Sequence, residues 1–333
     1  MSQPGISDVD EVLRSVGANS GELNMIFIFD IVDIDNEPGK GRLSMKPFGA
    51  KEMRQIISKW QRAMIEKDGW NSVFIENHDN PRSVGRYVDD SDEYRTYGAK
   101  LLALMQSTLA GTLFVYEGEE LGQRNIKPGV SIEDEYKDIE TINYWRIAQS
   151  SFGKNGKTPD ADKLAHARHV IERMGRDHAR TPVQWDSSAN AGFCAADVTP
   201  WMHAVGDYKE INAEKQMSSD GKDETGGISV FRFWQRALAD RKKHKDVFVY
   251  GDFELLGDVE DESSIFAYTR TGKLEGKWLV VLNFSGKQVT WEIPTNIKMD
   301  MWCAGNYVAG KPEKPMTGSL TLKPWEGVLG RCA

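Results

Sequence analysis

From residue 22 to residue 122 the chain alternates short apolar runs with long stretches of helical periodicity, and each apolar run stops at acidic residues. "ELNMIFIFDIVDID" (22–35) is apolar and then acidic, as suits a buried strand feeding a loop. In "KPFGAKEMRQIISKWQRAMIEKDGW" (46–70), Met53, Ile56, Ile57, Trp60, Met64 and Ile65 recur at helical spacing. The run Val73-Phe74-Ile75 breaks off at Glu76. "DEYRTYGAKLLALMQSTLAGT" (92–112) predicts a second helix, striped by Tyr97, Leu101, Leu104, Met105 and Leu109, with Gly111 just past its end. "GTLFVYEGEELG" (111–122) is a third apolar run closing in acids and glycines. The order strand, helix, strand, helix, strand predicts an α/β unit with parallel strands and crossover helices. In barrels of that kind, functional residues gather where strands give way to loops.

The pattern then changes. Residues 123–230 are polar and loop-rich, with short helical pieces such as "DADKLAHARHVIERM" (160–174). The long helix "ISVFRFWQRALADRKKH" (228–244) closes this first unit. From about residue 247, "VFVYGDFELL", "IFAYTR", "WLVVLNFS", "VTWEI" and "SLTLKPWEGVLG" are short, aromatic and β-branched, which predicts an antiparallel sandwich. The expected division is therefore 1–245 and 246–333.

Composition removes several classes of function. A net charge of -8 argues against nucleic acid, which needs a concentrated positive surface. "DRKKHKD" (240–246) reads as the polar end of a helix. Cys194, Cys303 and Cys332 are odd in number and widely spaced, which suits neither a disulfide framework nor a zinc site. "MSQPGISDVDEV" shows no signal-peptide pattern, and no run is long enough to span a bilayer, so a cytoplasmic protein without a membrane partner is expected. "NFS" (283–285) fits the glycosylation pattern but reads as an ordinary strand segment.

The densest chemistry lies in "NSVFIENHDNPRSVGRY" (71–87), where an apolar run ends in Glu76, Asn77, His78, Asp79 and Arg82. One reading is a buried ion pair with His78 and Asp79 merely satisfying a loop. Against it stands the position at a strand's carboxyl end, beside a second strand end, Tyr116 to Glu120, that brings more hydrogen-bonding groups. The face has no metal-ligand spacing, no phosphate-cradling glycine loop and no Ser-His-Asp order. Carboxylates, amides and aromatics together suit a neutral polyhydroxyl ligand.

Long motifs sharpen this. "FIENHDNPRSVGRY" resembles the F-x-E-N-H-D-x-P-R-S-x-x-R segment of glycoside hydrolase family 13, in its α-glucosidase and oligo-1,6-glucosidase branch. "GTLFVYEGEELG" resembles that branch's next strand, and "RDHARTPVQWD" (176–186) its R-D-x-A-R-T-P-M-Q-W-D loop. "YKEINAEKQ" (208–216) and "ALADRKKHKDVFVYGDF" (237–253) match the ends of its last barrel helix, and fungal-type maltases are the members most resembled. The resemblance implies the C-terminal part of a (β/α)8 TIM barrel, its last three strands and their helices, followed by a small all-β antiparallel sandwich.

By the same resemblance, His78 and Asp79 hydrogen-bond hydroxyls of the glucose being cleaved. Asp79 is the transition-state stabiliser, countering the positive charge of an oxocarbenium-like ring. Arg82 clamps the sugar's non-reducing end through a carboxylate partner. Glu76, Asn77 and Glu117 support these groups. Arg180, Gln184 and Trp185 match a rim loop expected to be structural.

Retaining cleavage needs two facing carboxyls, a nucleophile and a general acid/base. The family carries them in a G-F-R-x-D-type and a V-G-E-x-P-G-type segment. The first occurs nowhere in these 333 residues, and in the register of Pro4 and Gly5, Ser2 stands where the acid/base glutamate belongs. Residues matching the family's usual calcium loop are absent too, so no metal and no cofactor is expected. The expectation is an α-glucosidase-type chain that grips an α-glucoside such as maltose and needs a complementary N-terminal half to cleave it. The alternative is a non-catalytic sugar-binding or interaction protein derived from the same family.

Overall fold

The computed structural model describes residues 8–19, 22–151, 156, 158–218, 222–223, 225–307 and 312–333. Ser2, Pro4 and Gly5 lie outside them. Helix α1 (Val9–Val16) starts on Asp8, whose carboxylate accepts from the amides of Asp10 and Glu11. It packs Val12 and Val16 against Trp60 and Met64 of α2 (Ala50–Glu66). Strand β1 (Ser72–Val73) follows, then the short helix α3 (Val84–Tyr87) and α4 (Arg95–Thr108). Strand β2 (Thr112–Leu113) lies parallel to β1, Ser72 opposite Thr112. Gly111 turns the chain between α4 and β2 with φ 115°, a conformation only glycine adopts without strain.

The first apolar run departs from expectation. Within 22–35 no residue joins a strand ladder, and residues 25–29 carry no regular secondary structure. Ser72 Oγ donates to the Ile26 carbonyl at 2.7 Å, and the Phe27 ring meets those of Phe74 and Phe114. A ladder of only two paired residues per strand lends little support to a third strand. Ring contacts hold this segment where backbone bonds were expected.

The polar middle carries α5 (Ile132–Glu135), α6 (Ile139–Ser150), α7 (Ala161–Met174) and α8 (Ala213–Met217), before α9 (Val230–Lys243) and α10 (Lys245–Phe248). Seven strands follow: β3 (Asp252–Leu256), β4 (Ile265–Gly272), β5 (Gly276–Asn283), β6 (Val289–Glu292), β7 (Met299–Gly305), β8 (Ser319–Leu322) and β9 (Gly327–Cys332). They form an antiparallel sheet in the order β3-β4-β5-β9-β7 and a separate β6-β8 pair. Strand alternation sends Ala267, Leu279 and Val281 toward Leu320 and Leu322 of that pair. Phe266, Tyr268, Val280 and Leu282 belong instead to the core that holds Leu101 and Leu104 of α4. Asn283 is fully buried, its amide donating to the carbonyls of Lys287 and Lys323, so the "NFS" asparagine is a strand residue.

Helix α4 is buried almost all round, where one apolar stripe was predicted. It lies between α9 and the five-stranded sheet, so its faces meet protein on opposite sides. Its carboxyl end rests on two buried guanidiniums. Arg241 donates to the carbonyls of Ser107, Leu109 and Gly111, and Arg270 to that of Thr108. These cations satisfy carbonyls that a helix terminus leaves without partners.

Candidate functional site

Beyond β1 the chain runs through buried Phe74 and Ile75 into the predicted corner. Glu76 is buried and accepts from Arg82 Nη1 at 2.9 Å, the Ser83 amide at 3.1 Å and Ser83 Oγ at 2.8 Å. The Asn77 side chain accepts from the Asp79 amide at 2.8 Å, a local turn that fixes where the Asp79 carboxylate sits. Asn80 anchors the turn from below by donating to the Val32 carbonyl at 3.0 Å. His78 and Asp79 reach the open face, with side chains 73% and 27% exposed and His78 Nε2 lying 3.6 Å from the Asp79 carboxylate.

Arg82 corrects an expectation. Its side chain is 0% exposed. Besides Glu76 it bonds the carbonyl of Glu117 at 2.6 Å and that of His178 at 3.2 Å. It presents no surface to a sugar hydroxyl, so its placement is that of an internal strut joining the two strand ends. Glu117 meets it only through the backbone; its side chain is exposed.

The arginines that do reach the face are three others. Arg180 Nη2 donates to Asp79 Oδ1 at 3.0 Å, and its Nε to the His78 carbonyl at 3.0 Å. Arg176 Nη1 lies 3.4 Å from the same carboxylate oxygen. Arg42, from the loop before α2, donates to the Asp79 carbonyl at 2.5 Å and lies 3.6 Å from its carboxylate. Asp138 holds the pair Arg176 and Arg180 in turn, at 3.3 and 2.9 Å, and Glu140 pairs with Arg176 at 2.9 Å. Partial burial pushes the Asp79 carboxyl upward, but Arg42, His78 and Arg176 outweigh it, so the group stays below the ordinary carboxylate range. Asp79 is thus ionised at neutral pH and can accept from hydroxyls.

The acids after β2 behave otherwise. Glu119 is buried, accepting from Gln106 Nε2 at 2.5 Å and the Tyr116 amide at 3.1 Å. Burial, aided by the charge of Glu76, pushes it up to about 8. Burial raises Glu120 as well. Tyr116 donates to the Ala179 carbonyl at 3.1 Å, tying this strand end to the loop that carries Arg180. Within that loop Gln184 is buried and bonded to Asp207, while Trp185 is exposed.

The structure sets His78 and Asp79 beside Glu76 and Asn77, leaves the Glu117 side chain exposed, and adds three arginines that sequence reasoning did not place there. Arg176 and Arg180 stood inside a quoted motif, where Arg180 was assigned to the rim and Arg176 was given no role. Arg42 lay in none; a basic residue in the glycine-containing loop "EPGKGRLS" (37–44) carried no periodic signal.

Comparison with known proteins fits this geometry. Residues 6–251 match the family described as α-amylase, catalytic domain. The chain belongs to that family, glycoside hydrolase family 13, and is α-glucosidase-like within it. It is 39% identical over 326 residues to an α-glucosidase of Schizosaccharomyces pombe, covering 98% of this chain and 53% of that protein. It is 36% identical over 328 residues to an oligo-1,6-glucosidase of Parageobacillus thermoglucosidasius, covering 97% and 53%. The crystal structure of Bacillus licheniformis trehalose-6-phosphate hydrolase superposes with a TM-score of 0.82 at 32% identity, covering 98% of this chain and 54% of that one. The chain spans about half the length of the relatives it matches.

Proposed function

We propose that the chain is the sugar-gripping portion of a retaining α-glucosidase acting on terminal α-linked glucose of maltose-like oligosaccharides. The observation that carries this reading is the ionised, part-exposed Asp79 beside exposed His78, fixed by the Asn77 turn at a strand's carboxyl end. Asp79 accepts from a glucose hydroxyl, and His78 bonds a neighbouring one. Those bonds strengthen as the ring flattens and gains positive charge, so they favour the transition state over the bound ground state. Arg82 and Glu76 keep the corner rigid from behind. The nucleophile and the general acid/base are supplied by the part of the relatives' length that this sequence does not match, brought by a complementary N-terminal half.

The test is hydrolysis of p-nitrophenyl α-glucoside. The expected result is no turnover by the 333-residue chain alone, turnover on mixing with a separately expressed N-terminal half of the Schizosaccharomyces pombe relative, and its loss in Asp79→Ala. Hydrolysis by the chain alone, abolished by the same substitution, would overturn the division of labour. Saturable glucose binding with no turnover in either setting would favour the non-catalytic reading.

A further inference from the structure

We propose that Arg42 is a positioning residue for Asp79, holding that carboxylate oriented toward the open face so that it accepts from a sugar hydroxyl. The proposal rests on the sugar-site reading above and adds a residue to it. Three features carry it. Arg42 grips Asp79 at two points, donating through Nη1 to its carbonyl at 2.5 Å while Nη2 stands 3.6 Å from its carboxylate. It arrives from a different element: the loop carrying it also pairs Asn36 with Met45, closing a short hairpin over the corner. It is also the one arginine of the three that neither Asp138 nor Glu140 engages among the described ion pairs, whereas Arg176 and Arg180 divide their charge among those acids and Asp79.

Asp79 is faced by Arg42 from this loop, by His78 from its own turn, and by Arg176 and Arg180 from the segment after α7. Asp138 and Glu140 of the neighbouring helix start offset the last two. Arg42 is the largest of the charges that keep the Asp79 carboxyl low. Removing it leaves the carboxylate with His78 and with two arginines whose charge is shared with Asp138 and Glu140.

The test uses the whole chain and two readouts. Carboxyl-carbon NMR follows the titration of Asp79, its resonance identified by its absence in Asp79→Asn. Calorimetry follows D-glucose binding as a function of pH. Arg42→Ala should move the Asp79 midpoint and the acid limb of glucose binding to higher pH together. Binding at neutral pH should change by about fivefold at most, the range of a part-exposed ion pair. Arg42→Lys, which keeps a charge there, should lie close to the wild-type protein. An unchanged midpoint in Arg42→Ala, or equal shifts in both variants, would overturn the proposal. If the wild-type chain binds no glucose while the midpoints move as stated, the sugar-site reading fails and the hold of Arg42 on Asp79 stands. The variant sits on a loop outside the buried core, so folding is not at stake.

Discussion

Replacing Glu119 by glutamine should flatten the pH dependence of stability on the alkaline side. The wild-type carboxyl has an unfolded-state value of 4.5 and is pushed up to about 8 by burial and the nearby Glu76. Below the first value both folded and unfolded chains hold the proton. Between the two only the folded chain does, so stability falls as pH rises, by about 1.4 kcal/mol per pH unit. Above the second value both have released it and the loss is complete. The stabilising contribution is therefore present in full at acid pH and gone above about 8, with a ceiling of about 5 kcal/mol across the interval. Glutamine fits the same space, keeps an acceptor for the Tyr116 amide and never ionises. Gln106 Oε1, now buried without a partner, becomes available to the new amide once the Gln106 side chain turns over. Urea midpoints for both proteins at about pH 5 and about pH 8.5 read the effect. The glutamine variant should gain relative to wild type by several kcal/mol between those conditions. Parallel profiles would show that Glu119 is ionised inside the fold, and the argument from burial would fail.

Two further outcomes are expected. Glu76→Ala strips the partner from a guanidinium with no solvent exposure and should cost about 3–5 kcal/mol in urea unfolding; Glu76→Ala combined with Arg82→Met should recover much of it, whereas equal losses would make the pair irrelevant. Asp79→Asn should weaken glucose binding about 10–100-fold, the scale of a lost charge-assisted hydrogen bond, with a far smaller effect on the urea midpoint. Calorimetry beside chemical denaturation separates the two effects.

The helices were legible because apolar spacing is a local signal: Met53, Ile57, Trp60 and Met64 face the core as their periodicity predicted. The strand pairing was less so. Phe27 and Phe29 alternate as strand residues should, yet alternation reports which side a residue faces and not whether a neighbour's amides lie within reach. The burial of α4 on opposite faces depended on the sheet at 252–332 packing against it, a contact between residues far apart in sequence. In the site, Asn77 and Asp79 were readable because a turn is made by adjacent residues. Arg82 was misjudged since burial is a property of the finished wall and not of the motif. Arg42 escaped notice because it meets Asp79 across 37 positions.

The two guanidiniums at the end of α4 carry a mechanical implication. Arg270 comes from the antiparallel sheet and Arg241 from α9, and both also bond the Phe248 carbonyl between them. A rocking motion of the sheet against the helical layer would tear several charged bonds out of a dry environment at once. The sheet therefore acts as a fixed brace and not as a moving flap.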